Sequence, residues 1–141
     1  MLISRALLDE LIAHAREEAP NECCGVVAVD AGDPDNDEPP RALRAFRAKN
    51  AHASPLRFEI EPGELLKLWN ACEELGAMGA VYHSHTRTAA YPSQTDINYA
   101  AGSPGMEWII VGLATDRAPE VRSYVIDAGA VQEVALREIA A

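Results

Sequence analysis

His83, Ser84 and His85 stand in a row, and after seven further residues come Ser93, Gln94, Thr95 and Asp96. Two histidines at i and i+2 on an extended segment project from the same face of a strand, because successive side chains alternate sides. Both imidazoles can therefore reach one metal ion, and Asp96 offers a third ligand. A set of two histidines and one carboxylate leaves a tetrahedral zinc with one open position, where a hydrolase places its water. The histidine pair alone is a weak signal, since histidines at strand ends also serve solubility or a local hydrogen bond. The run from Ser93 to Asp96 also reads as a helix start, with Ser93 as N-cap and Asp96 at N3 near the positive end of the dipole. The two readings are compatible. A helix beginning at Ser93 fixes Asp96 in its first turn, and a metal site requires that rigidity.

The full spacing from His83 to Asp96 matches without a gap the signature of the JAMM metalloproteases, also called MPN-plus, and the chain resembles that family. Glu22, within Pro20-Asn21-Glu22-Cys23-Cys24-Gly25, stands at the place of the family's early glutamate. The resemblance runs from the first helix to about Val134, and Asn50, Phe58-Glu59-Ile60-Glu61-Pro62 and Ala90-Tyr91-Pro92-Ser93 agree with it. Within the family these flanks are most similar to an actinobacterial branch that removes cysteine from a small ubiquitin-like sulfur-carrier protein.

The resemblance implies a zinc ion (Zn2+), one per chain, on His83, His85 and Asp96, with Glu22 moving protons and Ser93 donating a hydrogen bond to the oxyanion. It implies as substrate a carrier ending in Gly-Gly, with the released cysteine serving cysteine biosynthesis. Free peptides or lysine-linked ubiquitin-like conjugates are the alternative substrates of the same site. A non-catalytic scaffold is disfavoured, because metal-free members of the superfamily have lost ligands that this chain keeps. Ser84 points to the opposite face of its strand and receives no role.

The elements that must position these residues follow from the apolar pattern. Residues 4–18 carry Leu7, Leu8, Leu11, Ile12 and Ala15 at helical spacing, with His14 assigned to the polar face and Pro20 ending the helix. Residues 25–29 read as a buried strand that holds Glu22 just before its start. Residues 30–40 are acidic and proline-bearing, which predicts a solvated loop. A strand is expected over 41–50, where the family resemblance decides an unclear period, and a half-exposed one over 57–61. Pro62 opens a second helix that Gly76 stops, with Leu65, Leu66, Trp69 and Cys72 as its expected buried stripe. Residues 77–83 form the strand that delivers the histidines, and 93–101 a short third helix. Strands over 108–113, 121–126 and 130–135 complete the chain, the last two joined by a tight turn at 127–129.

This order describes an α/β domain, a mixed sheet flanked by helices. The resemblance narrows it to the JAMM fold, which is similar to the cytidine-deaminase architecture. A deaminase itself is disfavoured, since His-X-Glu and Pro-Cys-X-X-Cys elements are missing.

A length of 141 residues predicts a single domain, which the resemblance implies is a JAMM/MPN-plus domain over 1–141. The net charge of −10 disfavours nucleic acid and anionic membranes, whose phosphates would be repelled. No apolar run approaches the ~20 residues of a membrane span, and Arg5, Asp9 and Glu10 interrupt any signal-peptide core, so a cytoplasmic protein is expected. Three cysteines, two of them adjacent at 23 and 24, argue against a disulfide framework and for small buried side chains. A nucleophilic Cys23 beside Glu22 stays open at this level, as does the choice between monomer and homodimer.

Overall fold

The computed structural model describes residues 1–114 and 118–140. The order of elements is β1 (Leu2–Ser4), α1 (Arg5–Glu18), β2 (Cys24–Asp30), β3 (Arg41–Ala48), α2 (Pro62–Leu75), β4 (Ala77–His85), α3 (Gln94–Ala100), β5 (Glu107–Gly112), β6 (Glu120–Asp127), β7 (Ala130–Val134) and β8 (Arg137–Ile139). The strands make one sheet in the order β7-β6-β5-β4-β2-β3-β1-β8. It is mixed: β4 runs parallel to β5 and antiparallel to β2, so the two strands that carry the chemistry lie side by side in its middle.

Burial on both faces explains the apolar character of these central strands. On one face, Leu7, Leu8, Leu11 and Ala15 of α1 pack against Val27, Val29, Tyr82, Ile109 and Val111. On the other, Cys72 of α2 and Ala100 of α3 close over Cys24, Val26, Val81 and Trp108, with Phe58 and Ile60 beside them. Each fully buried aliphatic side chain in these layers contributes ~1.5–3 kcal/mol, which fixes the strand register and with it the position of His83. Among the described residues no helix is long and apolar enough to cross a membrane.

Several expectations need correction. Residues 57–61 are not a strand. Their backbone is instead tied to the buried Asn50, whose side chain donates to the carbonyls of Glu22 and Arg57 and accepts from the amides of His52 and Glu59, at 3.0–3.2 Å. On α2, Leu66 and Trp69 are exposed, and the helix packs instead through Leu65, Leu68 and Cys72. His14 is buried rather than solvated, with Nδ1 2.7 Å from the Tyr82 hydroxyl. Gly25 makes that contact possible, since a Cβ there would lie 2.4 Å from the Tyr82 ring. The short strands β1 and β8, paired in parallel, add an edge that the apolar pattern does not foretell.

The strand over 41–50 is present as β3, and the turn before β7 is a two-residue hairpin with Ala128 at φ 48° and Gly129 at φ 81°. Within the acidic stretch 30–40 a short 3-10 turn, Pro34–Asn36, buries nothing, as a solvated loop requires.

Candidate functional site

β4 delivers His83 and His85 to one face of the sheet, and the ladder to β2 places Cys24 opposite His83. Glu22 therefore stands just beyond the edge of β2, next to the histidines. The adjoining backbone is tied down at two points. Cys23 N–H donates to the Ser84 hydroxyl at 2.8 Å, and Glu22 N–H donates to the Ser54 carbonyl at 2.8 Å. Ser84, which the sequence leaves without a role, is thus a buried strut between the two chemistry-bearing strands.

α3 begins where expected, with a complete capping box. Ser93 Oγ accepts from Asp96 N–H at 3.1 Å, and Asp96 Oδ2 accepts from Ser93 N–H at 2.9 Å. The same Oδ2 lies 3.1 Å from His83 Nε2 and 3.0 Å from His85 Nε2, and the two nitrogens are 3.2 Å apart. All three side chains are buried. One carboxylate oxygen hence serves both as helix cap and as the third corner of a triangle of donor atoms, so both readings of Asp96 hold.

The triangle has the character of a metal-holding group. His85 Nδ1 lies 3.0 Å from the Ala89 carbonyl, so its N–H points outward and leaves Nε2 as the free lone pair. Burial favours the neutral form of His83 and lowers its pKa. For His85, burial acts in the same direction but is outweighed by Asp96 and the Ala89 carbonyl, which raise it. Burial likewise opposes ionisation of Asp96, yet the two imidazoles and Ser93 N–H hold it well below the usual carboxylate range. An ionised carboxylate facing two imidazole nitrogens, with little water near, is a donor set for a cation.

Glu22 is 4% exposed, and its Oε1 has no hydrogen-bond partner among the described residues. Burial pushes its pKa up to about 8, with the charge of His85 opposing and that of Asp96 assisting. It lines a cleft of about 340 Å3 together with His85, Ser93, Thr86, Arg87, Thr88, Pro55 and Leu56. Of the five residues picked from the sequence, Glu22, His85 and Ser93 line this cleft, and His83 and Asp96 lie buried against His85. Cys23 is buried, and burial drives its thiol up to about 11, which disfavours the thiolate a nucleophile needs.

Two participants escape the sequence reading. Phe58 stacks on His83, although its place in the Phe58-to-Pro62 run singled it out without giving a role. Arg87 lines the cleft, and no periodic signal in its loop marks it.

The chain is similar to several known proteins. The family described as prokaryotic homologues of the JAB domain matches residues 4–127. The chain is 40% identical over 135 residues to a protein of Mycobacterium tuberculosis named CysO-cysteine peptidase, covering 94% of this chain and 88% of that protein. It is 36% identical over 138 residues to a Thermus thermophilus protein named probable TtuB-protein conjugate cleaving protease, covering 96% and 81%. A solution structure of a protein from Desulfitobacterium hafniense superimposes with a TM-score of 0.85 at 28% identity, over 99% of this chain and 93% of that one.

Proposed function

The chain belongs to the family of prokaryotic homologues of the JAB domain, and from that premise we propose that it is a zinc-dependent hydrolase that frees cysteine from the C-terminal glycine of a ubiquitin-like sulfur-carrier protein. The observation that carries this reading is the buried triangle of His83, His85 and Asp96, with side lengths of 3.0–3.2 Å, opening on the cleft that holds Glu22. Tetrahedral zinc with ligand bonds of ~2.0–2.1 Å separates its ligands by about 3.3 Å, so the triangle needs only a slight expansion. Imidazole donors also favour zinc or a similar transition ion over magnesium or calcium. The curated mycobacterial relative named for a CysO-cysteine substrate supports the leaving group. Buried free cysteines at 23, 24 and 72 accord with a cytoplasmic location.

Zinc would supply Lewis acidity at the scissile carbonyl and lower the pKa of a water toward ~7. The protein's own residues handle the rest. Glu22 Oε1, without a partner in the protein, takes a proton from the attacking water. The water's hydroxyl ends on the carbonyl carbon, the C–N bond breaks, and Glu22 returns the proton to the leaving nitrogen. A carboxylate raised by burial suits both halves of that cycle. Ser93 uses its oxygen as the helix cap, which leaves the hydroxyl proton free to donate to the developing oxyanion. A Gly-Gly tail is thin enough to bring its carbonyl into the cleft that Glu22 and His85 line.

The test is metal content together with turnover. The purified protein should carry about one zinc per chain, and changing His83, His85 or Asp96 to Ala should lower occupancy and activity together. Active protein free of transition metal would sink the proposal. The second reading is cleavage of lysine-linked carrier conjugates in the same cleft; the Thermus relative, named for cleaving a TtuB-protein conjugate, favours a protein conjugate as substrate.

A further inference from the structure

Releasing a single terminal amino acid differs from cutting a lysine-linked conjugate in one chemical respect. The cysteine adduct carries a free α-carboxylate one residue beyond the scissile carbonyl, whereas an isopeptide presents an uncharged aliphatic stem there. An enzyme for the first needs a cation beside its reacting centre. This chain is a poor place to find one by accident, since it holds 22 acidic residues against 12 basic ones.

Of the residues lining the cleft, Arg87 is the one Lys or Arg. Its neighbours on the loop are pinned to the site itself. Thr86 Oγ1 donates to the Pro20 carbonyl at 3.2 Å, the Ala89 carbonyl meets His85 Nδ1 at 3.0 Å, and the Tyr124 hydroxyl holds the Ala90 carbonyl. The backbone at Arg87 is thereby fixed relative to His85. Its side chain, by contrast, is exposed and has no hydrogen bond or ion pair among the described residues. Without Arg87, an incoming carboxylate would find no Lys or Arg side chain in the cleft lining to pair with. Pro55 and Leu56 complete the cleft with apolar surface suited to a small thiol side chain.

We propose that Arg87 is the specificity determinant of this cleft, binding the free α-carboxylate of a C-terminal cysteine and so selecting terminal adducts over lysine-linked conjugates. The inference rests on the proposed function and names the group that this site reads. A guanidinium offers a forked pair of donors matched to a carboxylate, a geometry that lysine reproduces only in charge.

The experiment compares three substrates built on one sulfur carrier: Gly-Gly-Cys with a free acid, the same chain ending in a cysteine amide, and Gly-Gly joined to a lysine side chain. Zinc-loaded wild type should prefer the acid to the amide by about tenfold in kcat/KM, mainly through KM, since the Arg87 side chain is exposed. Arg87→Ala should erase that preference, and Arg87→Lys should restore part of it. Binding of acid and amide adducts to the zinc-loaded Glu22→Gln protein gives the same ratio without turnover. Equal cleavage of acid and amide by wild type overturns the inference while leaving the hydrolase reading intact. So does an acid preference that survives in Arg87→Ala, or a KM rise in that variant common to all three substrates. If wild type cuts none of the three, the proposed function fails and the inference falls with it.

Discussion

The Phe58 ring lies stacked on the His83 imidazole, with centroids 4.3 Å apart and planes 22° from parallel. The two histidines are therefore held differently. His85 is oriented by its hydrogen bond to the Ala89 carbonyl, whereas His83 Nδ1 has no hydrogen-bond partner among the described residues. Phe58 is in turn braced edge-on by Tyr99 at 5.0 Å, and its segment is fastened to the Glu22 carbonyl through Asn50. The stack thus stands in for the hydrogen bond that usually orients a ligating imidazole. Phe58→Ala should weaken zinc binding about tenfold, read by competition with a chelator, while Phe58→Leu, which fills the space without stacking, should lie between. Unchanged affinity in a folded Phe58→Ala protein would show that the stack does not position His83.

Glu22 acts on protons and not on the metal. Glu22→Gln should keep its zinc and its melting temperature yet lose on the order of 10²–10⁴ in kcat. Full turnover with zinc bound would remove Glu22 from the mechanism.

His14 makes stability depend on pH. Burial, with the charge of Arg47 nearby, lowers its pKa below the ordinary 6.5, while the buried Tyr82 hydroxyl, itself raised, stays protonated and donates to His14 Nδ1. A histidine lowered in the folded state stabilises the protein fully above the unfolded value, and that contribution is lost as pH falls through the folded value. The melting temperature of the wild type should accordingly drop more than that of His14→Gln between about pH 7.5 and pH 5. Parallel curves would show that His14 titrates alike in both states.

The parts of the site closest in sequence were the easiest to read. The i, i+2 alternation and the helix cap are local devices, so the facing of His83 and His85 and the helix start at Ser93 could be read locally, whereas joining them with Asp96 and Glu22 into one site leaned on a family resemblance, because Glu22 meets them across the sheet. On α2, two apolar stripes one residue apart compete, Leu65-Leu68-Cys72 and Leu66-Trp69-Glu73. The helix turns the first toward the core, with Cys72 buried and Leu65 and Leu68 half-buried, and exposes the second, which ends in a carboxylate. His14 follows Leu7 and Leu11 on the buried stripe of α1, a periodicity visible in the sequence. What the sequence hides is Tyr82, the polar partner that makes burial of an imidazole tolerable. Residues 57–61 alternate like a strand but are organised by one buried amide, Asn50, which no periodicity reports.

The most direct test of the account is the mass of the substrate. A sulfur-carrier protein from the same host, ending in Gly-Gly-Cys, should be incubated with the zinc-loaded protein and its intact mass followed with time. The account predicts loss of one cysteine residue, leaving the carrier with its terminal glycine carboxylate, and no change when the metal is chelated. A cysteine adduct that persists while a lysine-linked conjugate of the same carrier is cut would contradict it.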